Sequence, residues 1–234
     1  MIQARVLPMG DAAVLIEVDD IASVLALHAA LEQRRGDAEP ADDDAQTTDP
    51  WPWIVDMVPA ARTLLLHLAP EADLPQVGRC VVELAASLPD PFEVEEALAD
   101  SSGDFDDVVE IPVTYDGEDL EDVAQATGMS REDVIEAHTS SRWRVAFFGF
   151  APGFAYLSGG DRRLDVARRS EPRTTVPPGS VGLAGEFSAV YPRSSPGGWQ
   201  LIGHTESVLW DQDRDPPSLL QPGSVVRFVR QDPT

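Results

Sequence analysis

Val14, Ile16 and Val18 alternate along Asp11–Val18, which predicts a strand. Ile21–Arg35 then places Ile21, Val24, Leu25, Leu27 and Leu31 at helical spacing, and the pattern stops at Gly36. Trp53–Val58 and Arg62–Leu68 read as two strands joined by a short turn at Pro59. Leu74–Leu88 is helical in pattern and ends before Pro89, and Val108–Thr114 is again a strand. The order β-α-β-β-α-β is that of a ferredoxin-like split unit, and the last strand is equally placed to open the next domain.

Two stretches break this order. Gly36–Pro50 holds six acidic residues and no aliphatic residue larger than Ala, and reads as an inserted loop. Asp90–Asp107 is acidic and reads as a linker, with a short helix around Phe92–Leu98. The expected layout is a first domain over 1–90, a linker over 91–107 and a second domain over 108–234.

The pattern changes after Tyr115. Asp119–Thr127 and Ser130–His138 predict two short helices, the second opened by Ser130 with Asp133 three residues on. From Arg144 come short apolar runs between Gly/Pro turns: Val145–Phe150, Gly182–Ala184, Ala189–Tyr191, Trp199–Ile202, Ser207–Trp210 and Ser224–Val229. Many short strands of this kind predict a β-barrel or sandwich, so the fold class is α+β.

Charge sharpens the picture. The chain carries 41 acidic and 17 basic residues, net −24, yet Thr139–Leu209 holds eight arginines against five acids. An arginine island in an acidic chain suits an anionic ligand such as a carboxylate or phosphate. Arg144 and Arg173 lie inside the Gly/Pro-rich segment and are the candidates to hold it; Arg162, Arg163, Arg168 and Arg169 read more as a solvated surface. The overall charge argues against nucleic acid and anionic membranes as partners.

All 17 basic residues are Arg, and the chain contains no Lys and no Asn. Such a composition looks like that of a protein from a high-salt cytoplasm, where acidic side chains keep the surface hydrated. A Walker-A lysine, a Schiff-base lysine and a biotinyl-lysine are excluded, as are N-glycosylation and a Cys-His-Asn triad. The single Cys80 cannot form an internal disulfide and is expected to pack as a small apolar residue. Four His and one Cys give no zinc spacing. Without a visible leader or long apolar span, a soluble cytoplasmic protein is expected.

The Gly/Pro-rich segment carries the candidate chemistry. Pro178–Gly182, with Gly179, Ser180 and Gly182, has the composition to turn N–H groups and a hydroxyl toward an anion, or to be a simple β-turn. Ser195–Trp199 places Gly197 and Gly198 beside the Trp199 indole, an arrangement suited to a small cyclic ligand or a partner chain. Tyr191 and His138, apart from His204, are the uncharged proton carriers in reach. A helix-terminal His such as His138 also serves the helix dipole, and Glu186 reads by default as a salt-bridge partner for an Arg. No Ser-His-Asp order and no carboxylate pair stands out, so the residues alone give an anion-recognising β domain and no reaction.

These motifs together resemble the KipI-type proteins, which are also known as the B-type subunits of 5-oxoprolinase or as subunit 1 of allophanate hydrolase. The matching runs are E-I-P-V at Glu110–Val113, E-D-V-I-E-A-H-T at Glu132–Thr139, G-F-A-P-G-F-A-Y-L at Gly149–Leu157 and P-R-T at Pro172–Thr174. They continue with P-G-S-V-G-L-A-G at Pro178–Gly185, Y-P at Tyr191–Pro192, S-P-G-G-W-Q-L-I-G at Ser195–Gly203 and P-G-S-V-V-R-F-V at Pro222–Val229. Leu7–Ala13 and Pro59–Leu66 extend the likeness more weakly into the first half. The resemblance implies a small N-terminal α+β domain and a cyclophilin-like β-barrel. It implies the C-type and A-type subunits of 5-oxoprolinase as partners, with ATP driving the opening of 5-oxoproline to glutamate. It also implies relatives fused into urea carboxylases, and one branch that inhibits a histidine kinase. Metal is not expected. The chain departs from the family pattern at Glu186 and Phe187, where A-G-G-Q-T is usual, at His204, where Arg is usual, and at Ala146, where an aromatic is usual.

Overall fold

Val14 and Ile16 do alternate inward on a strand, and that strand runs over Ala13–Glu17. An earlier strand, β1 (Arg5–Pro8), pairs antiparallel along it, so Ala13–Glu17 is β2. The computed structural model describes residues 1–37, 49–89 and 108–232. The chain divides into two units, Met1–Gly103 and Asp104–Thr234. The linker and the short helix expected in 90–107, and most of the acidic insert, lie outside the described residues.

In the first unit, α1 (Ile21–Asp37) starts where the Asp20 carboxylate accepts the Ser23 N–H at 2.7 Å. It passes Gly36 by one residue. β3 (Ile54–Pro59) and β4 (Thr63–Leu68) form the expected hairpin, and α2 (Leu74–Ser87) is capped by Asp73 on the Gln76 N–H. The sheet order is β1-β2-β4-β3, every pair antiparallel. Its core is Ile16, Leu27, Leu31, Leu64, Leu66 and Val81, all closed to solvent. Each such side chain contributes about 1.5–3 kcal/mol on leaving water.

The expected β-α-β-β-α-β order is therefore corrected to β-β-α-β-β-α. β4 lies between β2 and β3, the two strands that α1 connects. The fourth strand comes from the N-terminal Arg5–Pro8, not from Val108–Thr114. Four residues ending in Pro were too short to show a period of two.

β5 (Val108–Val113) opens the second unit, pairing in parallel with β13 (Val225–Arg230) from Val108↔Val225 to Val113↔Arg230. Between them lie α3 (Leu120–Thr127), α4 (Arg131–Ser140), β6 (Trp143–Phe148), β7 (Ala155–Ser158) and β8 (Arg173–Val176). They are followed by β9 (Ser180–Ala184), β10 (Phe187–Val190), β11 (Ser195–Gly197) and β12 (Gln200–His204). The Ser130–Asp133 capping box at α4 is present as expected. Ser207–Trp210 is not a strand; only Trp210 makes an isolated bridge, to Ser218.

Seven strands form one sheet, β12-β9-β10-β7-β6-β13-β5. Its two edges meet where Thr114 and His204 exchange two N–H···O bonds of 2.9 Å, so the sheet is a nearly closed barrel. Inside lie Ile111, Val113, Trp143, Leu157, Val181, Ile202, Val226 and Phe228, with Leu120, Val123, Val134 and Ile135 added from α3 and α4. A separate two-stranded antiparallel sheet, β8 with β11, completes the described strands.

Candidate functional site

Alternation along the barrel strands creates a second apolar layer on their outer face. Ala155 and Leu157 point into the barrel core and Tyr156 does not. Phe147 stacks on Tyr156 at 4.3 Å, and Phe187 meets both rings edge-on at 5.7 and 5.8 Å. Trp199 closes on Tyr156 and Phe154, and Tyr191 on Phe154, at 5.2–5.6 Å. Such pairs contribute about 0.5–1.5 kcal/mol each beyond their buried area.

Glycine is what admits Tyr191 to this layer. A Cβ at Gly197 would stand 2.3 Å from the Tyr191 hydroxyl, so no other residue fits there. Burial pushes the Tyr191 phenol above its usual range, against the opposing pull of Arg168 and of a hydrogen bond from the Trp199 backbone. Tyr191 thus remains a neutral hydroxyl that fixes the Gly197–Trp199 segment. Gly179, at φ +78°, brings its backbone against Thr205, whose carbonyl oxygen would lie 2.2 Å from an added Cβ. The Gly179 N–H donates to the Tyr191 carbonyl, the Thr205 N–H donates to the Gly179 carbonyl, and the Tyr191 N–H donates to the Ser180 carbonyl. Ser180 and Gly182 are buried in β9, with Gly182 lying under the Trp199 Cβ. Gly179, Ser180 and Gly182 therefore serve strand closure, and their N–H groups do not converge on a cleft.

The anticipated arginines are placed differently. Arg173 donates to the Asp119 carboxylate at 2.8 Å and to Glu118 at 3.1 Å. Arg169 reaches the same Asp119 oxygen at 2.6 Å, while the Leu201 N–H donates to the other at 2.7 Å. Burial pushes the Asp119 carboxyl up, but Arg173, the Leu201 N–H and Arg169 together hold it below the usual range. The structure brings Arg173, Gly197, Gly198, Trp199 and Tyr191 into one neighbourhood, bound through Asp119 and the β8–β11 strand pair. Arg144 instead lies exposed on β6 and donates to the Gly223 carbonyl at 3.2 Å.

His138 is also elsewhere. It is fully buried in the barrel, stacked on Phe228 at 4.2 Å. Its Nδ1 lies 2.8 Å from the Tyr115 hydroxyl and its Nε2 2.8 Å from the Ser188 hydroxyl. Burial depresses its pKa to about 3, so the ring is neutral and occupied on both sides. The proton-carrier role expected of His138 is not supported by this position.

A cleft of about 330 Å³ opens between α3 and the segment 166–171, with Gln200 in its lining. Asp122, Val123 and Ala126 form one wall, and Arg168, Arg169 and Glu171 belong to the other. Arg168 makes no hydrogen bond or ion pair among the described residues, and its charge bears on both Tyr156 and Tyr191. Two buried polar atoms of the lining residues lack partners among the described residues: the donor Arg169 Nε and the acceptor Gln200 Oε1. Sequence reading set Arg168 and Arg169 aside as surface, because only the fold shows that one is engaged by Asp119 and the other is left open. Asp119 itself was missed, since nothing in one sequence marks it among 41 acids.

Residues 4–220 match the family described as carboxyltransferase domain, subdomain C and D. This chain belongs to that family. It is 42% identical over 192 residues to the B subunit of 5-oxoprolinase from Bacillus subtilis (strain 168), covering 77% of each chain. It is 49% identical over 143 residues to the B subunit of 5-oxoprolinase from Escherichia coli O157:H7, covering 60% of this chain and 64% of that protein. The crystal structure of a conserved uncharacterized protein from Pyrococcus horikoshii aligns with a TM-score of 0.52 at 34% identity, over 97% of this chain and 98% of that one. The positions where this member of the family departs from the usual pattern stand outside the cleft lining. Phe187 belongs to the aromatic layer, and Ala146 is the residue skipped in the β6–β7 register. His204 closes the barrel seam and lies 2.8 Å from the Asp116 carboxylate. Glu186 sits in the β9–β10 turn beside Gly185.

Proposed function

We propose that this chain is the B subunit of an ATP-dependent 5-oxoprolinase. It would work with subunits of the C and A types to open 5-oxo-L-proline to L-glutamate, and it would be inactive alone. The observation that carries the reading is the 42% identity to the B subunit of a 5-oxoprolinase over 77% of both chains. The cleft supports it: a small cyclic carboxylate fits about 330 Å³. Arg168 supplies a positive charge without a carboxylate partner among the described residues, and Arg169 and Gln200 line the same cleft.

The same residues do not fit ATP. Asp122 and Glu171 line the walls and oppose a triphosphate, and the chain has no lysine. ATP belongs on this reading to another part of the complex. Here Arg168 would hold the substrate carboxylate, and Asp119 would fix Arg169 and Arg173 behind it. Tyr191 would keep Gly197–Trp199 in place and move no proton. The test is reconstitution: the three subunits together release ADP and glutamate from 5-oxoproline, and leaving out this chain abolishes both. Full release without this chain would overturn the assignment.

A further inference from the structure

Three exposed apolar side chains gather on one side of the second unit. Phe150, Val208 and Trp210 are 56%, 59% and 42% exposed. The turn bearing Phe150 packs directly on Trp210: a Cβ at Gly153, which has φ +77°, would stand 2.8 Å from the Trp210 Cβ. Phe150 is held at φ +64°, a region unfavourable for an aromatic residue, and is the one non-glycine residue so placed among the described residues. Its ring is fixed edge-on to Phe154 and Tyr191, at 5.2 and 6.3 Å. Packing thus imposes a strained backbone whose result is an aromatic ring standing in water.

Trp210 is framed as firmly. The Arg214 guanidinium turns inward and donates to the carbonyls of Val208 at 3.2 Å, Leu209 at 3.3 Å and Pro217 at 2.9 Å. The Leu219 N–H donates to Leu209 at 2.9 Å and the Asp211 N–H to Pro217 at 3.0 Å. A loop so braced holds Val208 and Trp210 in position before any partner arrives, which lowers the ordering cost of binding.

Charge chooses the partner. Glu206, Asp211, Asp213 and Asp215 edge the loop, all exposed, and Arg214 is the one basic residue in 205–218. An apolar centre with an acidic rim fits a partner offering an apolar pocket edged by Arg or Lys. A second copy of this chain, net −24, would set like charge on like charge. We infer that Phe150, Val208 and Trp210 form the docking surface for a different protein chain with such a pocket. Resting on the function proposed above, that chain is the C-type subunit.

The test is the Kd of the purified chain for the C-type subunit. Trp210→Ser and Phe150→Ser are expected to weaken binding at least tenfold. Val58→Ser, at a comparably exposed site on β3, is expected to stay within twofold of wild type. Should either aromatic variant fail to fold, Val208→Asp gives the same readout from the most exposed of the three positions. Wild-type chain that does not bind the C-type subunit overturns the assembly reading. Wild-type binding with every patch variant within twofold overturns the surface. Self-association of this chain that Trp210→Ser abolishes overturns the choice of a different chain as partner.

Discussion

The Arg173 guanidinium lies 2.8 Å from an Asp119 oxygen that Arg169 also approaches, at 2.6 Å. One carboxylate oxygen thus faces two guanidinium groups, while the other accepts the Leu201 N–H of β12. Removing the carboxylate with Asp119→Ala strips the partner from the partly buried Arg169 and from the buried Leu201 N–H, and leaves Arg173 only the exposed Glu118. Such losses cost about 3–5 kcal/mol. Chemical denaturation is expected to show a drop of that size for Asp119→Ala, whereas Glu118→Ala, whose side chain is 79% exposed, stays within about 0.5 kcal/mol.

The same carboxylate contributes to stability loss in acid. Its folded pKa is below the usual carboxylate value, so its stabilisation is full above about pH 4 and is lost as pH falls through the folded value. Asp119→Asn is expected to flatten that part of the stability–pH curve. An unchanged slope below pH 4 would remove Asp119 as its source.

His138 acts in a higher window. Its pKa is about 3 in the fold against about 6.5 in the unfolded chain, which therefore binds the extra proton between those values. Stability is expected to fall by about 1.4 kcal/mol per pH unit as pH drops from about 6.5 toward 3. The ring proton resonances of His138 should not titrate above pH 5 by NMR. Titration near pH 6.5 would place the ring in solvent and contradict its enclosure.

Gly197 and Tyr191 form a steric pair. Gly197→Ala is expected to destabilise by about 1–3 kcal/mol, because the new methyl group overlaps the phenol. Combining it with Tyr191→Phe removes the oxygen that stands 2.3 Å from the new Cβ, and should recover part of the loss. Strict additivity of the two changes would deny the clash.

The hydrophobic periods placed most of the strands and helices, because long runs such as Leu74–Leu88 carry their own signal. Short segments escaped. β1 has four residues and ends in Pro, and β11 is three residues long, so neither is long enough to show a period of its own. Ser207–Trp210 reads as a strand because it is a short apolar run, but its residues serve a loop braced by Arg214. The glycines of the Gly/Pro segment chiefly allow close packing. The choice among arginines was beyond one sequence. Arg173 and Arg168 differ only in having Asp119 within reach, a relation set across more than fifty residues.

Turnover of 5-oxoproline by the reconstituted complex, carrying either wild-type chain or Arg168→Ala, tests the central claim most directly. Arg168 is exposed and bonded to no described carboxylate, so the variant should fold as wild type does. The account expects KM for 5-oxoproline to rise at least tenfold, with Arg144→Ala close to wild type. An unchanged KM for Arg168→Ala, in a complex that turns over, would contradict the placement of the substrate in this cleft.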